Sequence, residues 1–87
     1  MEIHELKTWP RYFDLVFRGL KTFEIRKNDR NFNVGDRLDL MEYNPVTKNY
    51  TGKHCHRYIL SIVYGGQFGI EDGYIIMSLS REPITED

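Results

Sequence analysis

The sequence predicts a mainly β (α+β) fold: a small β-barrel of about five strands with one short helix after the first strand. Three observations carry this. Most apolar residues recur at alternate positions, the mark of half-buried strands. A single stretch shows helical spacing, too little helix to cover both faces of a doubly wound sheet. The chain has 87 residues, enough for one core. Closing the strands on themselves would leave few exposed edges.

The elements follow in order. Ile3 to Thr8 alternates mildly and reads as the first strand. Thr8 is suited to cap a helix and Pro10 suits a first turn. Tyr12, Phe13, Leu15, Val16 and Phe17 then recur at helical spacing, so a helix is expected over about 10–18. Gly19 stops it, because the residue after a helix often takes a positive φ. Thr22 to Lys27 alternates strictly, with Phe23 and Ile25 on one face and Thr22, Glu24 and Arg26 on the other. Residues 28–31 form a polar loop, and Val34-Gly35-Asp36 turns into a strand on which Leu38, Leu40 and Glu42 share a face. Asn44-Pro45 breaks that strand, and a polar loop is expected over 44–53. His56 to Tyr64 is β-branched and aromatic, a fourth strand. Gly65, Gly66 and Gly69 mark a loop, and Tyr74 to Ser80 is the last strand with Ile75, Met77 and Leu79 on one face. One domain is expected over 1–87, with a frayed tail from about residue 81.

Composition narrows the class. Aromatic residues make up 14% of the chain, and in so small a domain they are expected to supply much of the hydrophobic stabilisation. The single cysteine, Cys55, excludes an internal disulfide framework and fits a reducing cytoplasm. No charged-then-apolar leader and no apolar run of roughly 18–20 residues is present, so neither a signal peptide nor a membrane partner is expected. The net charge of −1 is unevenly spread: Lys7 to Arg57 holds eleven Lys/Arg against six Asp/Glu, and the remainder one against seven. That is either mixed solvated surface or a local basic face able to meet phosphate. A pI near 6.3 speaks against a protein that coats nucleic acid indiscriminately.

The chemistry concentrates behind the helix stop. Thr22, Glu24 and Arg26 supply a hydroxyl, a carboxylate and a guanidinium in a row, with Lys21 in the preceding turn. Arginine presents a planar fork to phosphate or a base edge, and a carboxylate accepts from an exocyclic amine such as that of cytosine. The alternative is an exposed edge on which Glu24 and Arg26 merely pair across the sheet. His54 and His56 share a strand face at a spacing able to chelate a metal, but a third ligand is wanting, so no metal or other cofactor is expected. Trp9 is expected in the core or as a hydrophobic staple; stacking on a base is the other use of an indole beside a helix start. Tyr43 and Tyr50 flank the 44–53 loop as a further stacking surface or as ordinary sheet-edge residues.

The run Gly19, Lys21, Glu24 and Arg26 resembles the G-x-K-x-x-E-x-R signature of the ASCH (activating signal cointegrator homology) domain, a branch of the PUA-like superfamily. Pro10 upstream and Val34-Gly35-Asp36 downstream fit the same pattern, and the resemblance spans Ile3 to Leu79. It implies a PUA-like barrel, in a small stand-alone bacterial or phage member of an uncharacterised subfamily. It also implies a cleft at the helix–strand junction that takes RNA or a nucleoside-like ligand. An enzymatic branch of that family removes an acyl group from cytidine, using a lysine that activates a threonine. Lys21 stands at the lysine position, but Glu24 stands where that threonine would be, and a carboxylate is no substitute for a hydroxyl nucleophile.

The expected function is therefore binding of RNA, or of a modified base or nucleotide, in a basic cleft. Lys21 and Arg26 would meet phosphate or a base edge. Glu24 would accept from a base, and Thr22 would add a hydroxyl. Lys27, Arg30 and Lys7 would extend the rim, with Trp9 beside them. Two alternatives stand: an enzyme acting on a nucleoside or RNA through Lys21 and Glu24, and a protein-interaction adaptor that keeps the fold without a nucleic-acid ligand. Oligomeric state is not legible.

Overall fold

The computed structural model describes residues 1–84, so the end of the expected frayed tail, 85–87, lies outside the described residues. Five strands and one helix follow one another as β1 (Ile3–Thr8), α1 (Pro10–Phe17), β2 (Phe23–Lys27), β3 (Arg37–Asn44), β4 (Asn49–Tyr64) and β5 (Tyr74–Ser80). The fold is mainly β, a single curled half-barrel sheet in the order β1-β3-β4-β5-β2. β1 runs parallel to β3, and the other pairs are antiparallel.

Curling follows from β4. Its sixteen residues are shared between two partners. The first part pairs with β3, from Asn44↔Asn49 to Arg37↔Tyr58. The second pairs with β5, from Tyr58↔Ser80 to Tyr64↔Ile75. An irregularity between Ile59 and Ser61 bends the sheet just past Tyr58, where the partner changes, and another between Met41 and Tyr43 lies nearer the hairpin end. The expected polar loop over 44–53 is instead a tight hairpin. Asn44 Oδ1 accepts from the backbone N–H groups of Val46 and Thr47, and only 45–48 lie between the strands. Its polar residues misled because this end of the ribbon is exposed.

The concave face carries the core. Leu6, Leu38, Leu40, Ile59, Ile75, Met77 and Leu79 project inward, and Phe13 and Val16 of α1 lie against them. Phe32, directly after the polar loop 28–31, is fully buried and packs 4.6 Å from the His4 ring. Glu42 is buried on the Leu38/Leu40 face, where its carboxylate accepts from Thr51 Oγ1 at 2.7 Å.

Two helix-end expectations separate. Thr8 does not cap α1: Trp9 is the N-cap, and its carbonyl accepts from the N–H groups of Tyr12 and Phe13. Thr8 ends β1, buried, where its hydroxyl serves the cleft described below. At the other end Gly19 takes φ +77°. Its N–H bonds the Val16 carbonyl and that of Leu20 bonds Leu15, the paired contacts of a Schellman turn. That turn reverses the chain into β2. Arg81, the expected start of fraying, donates to the Phe17 carbonyl and is tied to the helix end.

Candidate functional site

β1 and β2 are the two edges of the sheet, and side chains span the seam between them. Arg26 Nη2 donates to the Lys7 carbonyl at 3.0 Å and to Thr8 Oγ1 at 3.3 Å. Arg30 donates to the Glu5 carbonyl from the loop after β2. Above these struts the seam opens into a cleft of about 510 Å³, lined by residues 7–9, Tyr12, Lys21 and residues 23–26. That volume is in the range of small-ligand sites.

Glu24 forms the floor. It is 3% exposed, on the inward face of β2. Lys21 Nζ donates to its Oε1 at 2.8 Å and to the Phe23 carbonyl at 2.7 Å. Arg26 Nε donates to its Oε2 at 2.9 Å. Burial of a lone carboxylate would cost several kcal/mol, and two cations offset that. Each carboxylate oxygen keeps a second lone pair for a ligand donor. Lys7, Lys21 and Arg26 oppose the one carboxylate, so the cleft is net positive.

Apolar surface surrounds this polar floor. Phe23 and Ile25, on the outward face of β2, are exposed rather than core. The usual apolar-in pattern is inverted on this strand because its inward side closes the seam and not the core. Trp9 is 56% exposed, which corrects the core or staple expectation: its indole stands at the cleft mouth. Lys21 Nζ lies 4.8 Å from the Phe23 ring centre and 5.9 Å from that of Tyr12. Lys7 Nζ sits 4.5 Å over the Tyr43 ring, and Tyr43 meets Tyr50 edge-on at 5.1 Å across the hairpin.

The structure thus gathers Lys7, Trp9, Lys21, Glu24 and Arg26 about one cleft and separates the other three candidates from it. Thr22 precedes β2, is exposed, and lines a different depression behind the helix end. Strict alternation would have placed it beside Glu24, but the strand begins only at Phe23. Lys27 points outward with Phe23 and Ile25. Arg30 acts as a strut to β1 rather than as a rim cation. Among the described residues, no three His, Cys, Asp or Glu side chains come together as a metal-ligand set. His54 and His56 are both exposed on β4.

Two participants escaped sequence reading. Thr8 reads as a helix cap; its position between an alternating segment and a helical one gives no hint that it faces a seam. The second is the buried His4–Asp36 pair, His4 Nε2 to Asp36 Oδ2 at 2.9 Å. Asp36 also accepts from the backbone N–H groups of Glu2 and Asn33. Burial alone would push this carboxyl up; the bonds from His4 and the two backbone groups outweigh it and hold the carboxyl below its ordinary range. The pair ties the chain start to the turn before β3 and so fixes β1, one wall of the cleft. Burial pushes the half-buried Cys55 thiol up, away from thiolate chemistry. Among the described residues no helix is long and apolar enough to cross a membrane.

Comparison with known proteins places the chain in a family. The chain is 43% identical over 61 residues to an uncharacterized 12.9 kDa protein in the GpA 3′ region of Escherichia phage P2. The alignment takes in 70% of this chain and 54% of that protein, so the chain spans about half the length of that curated relative. Residues 3–79, from the first strand to the last, match the family described as a domain of unknown function, DUF3850, and the chain belongs to that family.

Proposed function

We propose that this domain binds single-stranded RNA, or a modified base or nucleotide, in the cleft between β1 and β2. One observation carries the reading: a buried carboxylate held between two cations at the floor of a cleft whose mouth is aromatic. A base stacked on Trp9 would present its exocyclic amine to Glu24, as cytosine does to carboxylates. Arg26, already committed to Glu24, Lys7 and Thr8, positions the carboxylate. Lys21 and Lys7 supply the charge that meets the backbone. The ASCH-like signature supports the same reading, since Gly19 makes the turn and Lys21, Glu24 and Arg26 all meet at the cleft. On this view the family is a PUA-like branch acting in the cytoplasm.

Binding is favoured over catalysis on two grounds. Lys21 Nζ already donates to the Glu24 carboxylate and the Phe23 carbonyl, which fixes it on the cleft floor rather than beside a hydroxyl it could activate. Thr22, the hydroxyl next to it in sequence, lines another depression. The test is a titration of the protein with a mixed RNA pool and with cytidine and N4-acylated cytidine, followed by both binding and product analysis. Saturable binding without product, lost in a folded Lys21→Ala variant, is the expected result. Turnover of the acylated nucleoside would make it an enzyme. Failure of every probe to bind or to raise Tm would leave the interaction adaptor.

A further inference from the structure

Behind the helix end lies a second depression, of about 260 Å³, that the cleft does not explain. Its polar lining is Arg18, Lys21, Thr22, Arg57 and Arg81, with Gly19 between them and no carboxylate. Arg57 reaches it from β4 and donates to the Val16 carbonyl at 2.9 Å. Arg81 arrives from the end of β5 and donates to the Phe17 carbonyl at 3.3 Å. Gly19 admits that guanidinium: a Cβ there would stand 2.8 Å from Arg81 Nη2.

Capping the helix accounts for only part of this charge. Arg18 is offset by Asp14 at 3.3 Å and Lys21 by Glu24. Arg57 and Arg81 have no acidic side chain within salt-bridge distance among the described residues; their partners are carbonyls, those of the helix C-terminus and, for Arg57, that of His56 at 2.7 Å. A helix end carries about half a negative charge. A surplus of about one and a half positive charges therefore remains, beside a Thr22 hydroxyl with no side-chain hydrogen bond of its own. Forked guanidinium donors and a hydroxyl around a small hollow are the chemistry of phosphate recognition.

We infer that this depression is a phosphate subsite. Lys21 lines both hollows, so one ligand can place its base over Glu24 and its phosphate between Arg57 and Arg81. The ligand class is then a nucleotide or an RNA strand rather than a free nucleoside. The base half of this inference rests on the cleft reading above; the phosphate half does not.

The experiment is an amide chemical-shift titration of the full chain at low salt, with inorganic phosphate, cytidine and cytidine monophosphate as probes. Phosphate alone is expected to shift the amides of Gly19, Thr22 and Arg81. The monophosphate is expected to bind at least about ten-fold tighter than cytidine, as one or two charge-assisted hydrogen bonds allow. Thr22→Glu, which sets a carboxylate in the hollow without touching the core, should abolish that gain, and so should Arg81→Gln, which keeps a donor for the Phe17 carbonyl. Spectral dispersion reports whether each variant is folded. If cytidine binds but its monophosphate binds no tighter, or the gain survives both variants, the subsite is overturned and the cleft reading stands. If phosphate shifts Thr22 and Arg81 while cytidine shifts nothing, the subsite stands and the base cleft falls.

Discussion

Glu24→Gln removes the charge at the floor of the cleft while keeping its volume. In the native protein both carboxylate oxygens accept from cations, Lys21 at 2.8 Å and Arg26 at 2.9 Å. The amide oxygen keeps one of these bonds, and the amide nitrogen turns a donor towards the other cation. Breaking a buried ion pair by removing one partner costs about 3–5 kcal/mol. The Lys21 and Arg26 side chains are 16% and 26% exposed, so both can turn towards cleft water. With one charged hydrogen bond lost and the cations partly relieved by solvent, the expected loss is about 2 kcal/mol. A domain of this length has roughly 4–13 kcal/mol in all, so the change is large but survivable. With a urea slope of about 1 kcal/mol/M the unfolding midpoint should fall by about 2 M. Far-UV circular dichroism is the proper probe, since Trp9 is exposed in the folded state and reports folding poorly. The double variant with Arg26→Gln should lose less than the sum of the single losses, by about 1 kcal/mol or more. An unchanged midpoint for Glu24→Gln, or strict additivity with Arg26→Gln, would refute the view that the triad closes the seam.

Three further outcomes are expected. Trp9→Ala should leave stability within about 0.5 kcal/mol, because the indole is largely exposed, yet weaken RNA binding by about 1–3 kcal/mol in a filter or fluorescence titration; a large drop in Tm with binding intact would place Trp9 in the core after all. The folded-state carboxyl of Asp36 lies below its ordinary value, so its contribution is present above the unfolded carboxylate range and is lost as pH falls through the folded value. Urea titrations at several pH values should show that acid-side loss in the native protein and a flatter profile in Asp36→Asn. Gly19→Ala forces a non-glycine residue to φ +77° and crowds Arg81, which should cost about 1–2 kcal/mol, or a Tm fall of roughly 4–16 °C by calorimetry.

Alternation and helical spacing were enough to read five strands, one helix and most of the core from the chain, because both periods follow from backbone geometry alone. Gly19 could be placed as the helix stop because few other residues accept its φ. The cluster Lys21, Glu24 and Arg26 stood out for the same local reason: the charges fall close together along the strand start. What the sequence could not decide is which side of a strand becomes the inside. Phe23 and Ile25 point to solvent and Glu24 is buried because β2 closes a seam against β1, a partner fifteen residues or more away in the chain. The same seam makes Thr8 a partner of Arg26 and Arg30 a strut. Only tertiary structure brings Arg57 and Arg81 to the helix end, where their charge outlasts the carbonyls they cap. Local periodicity determined the elements; the meeting of distant edges decided the sites, since burial and charge balance are set by whatever the fold places opposite.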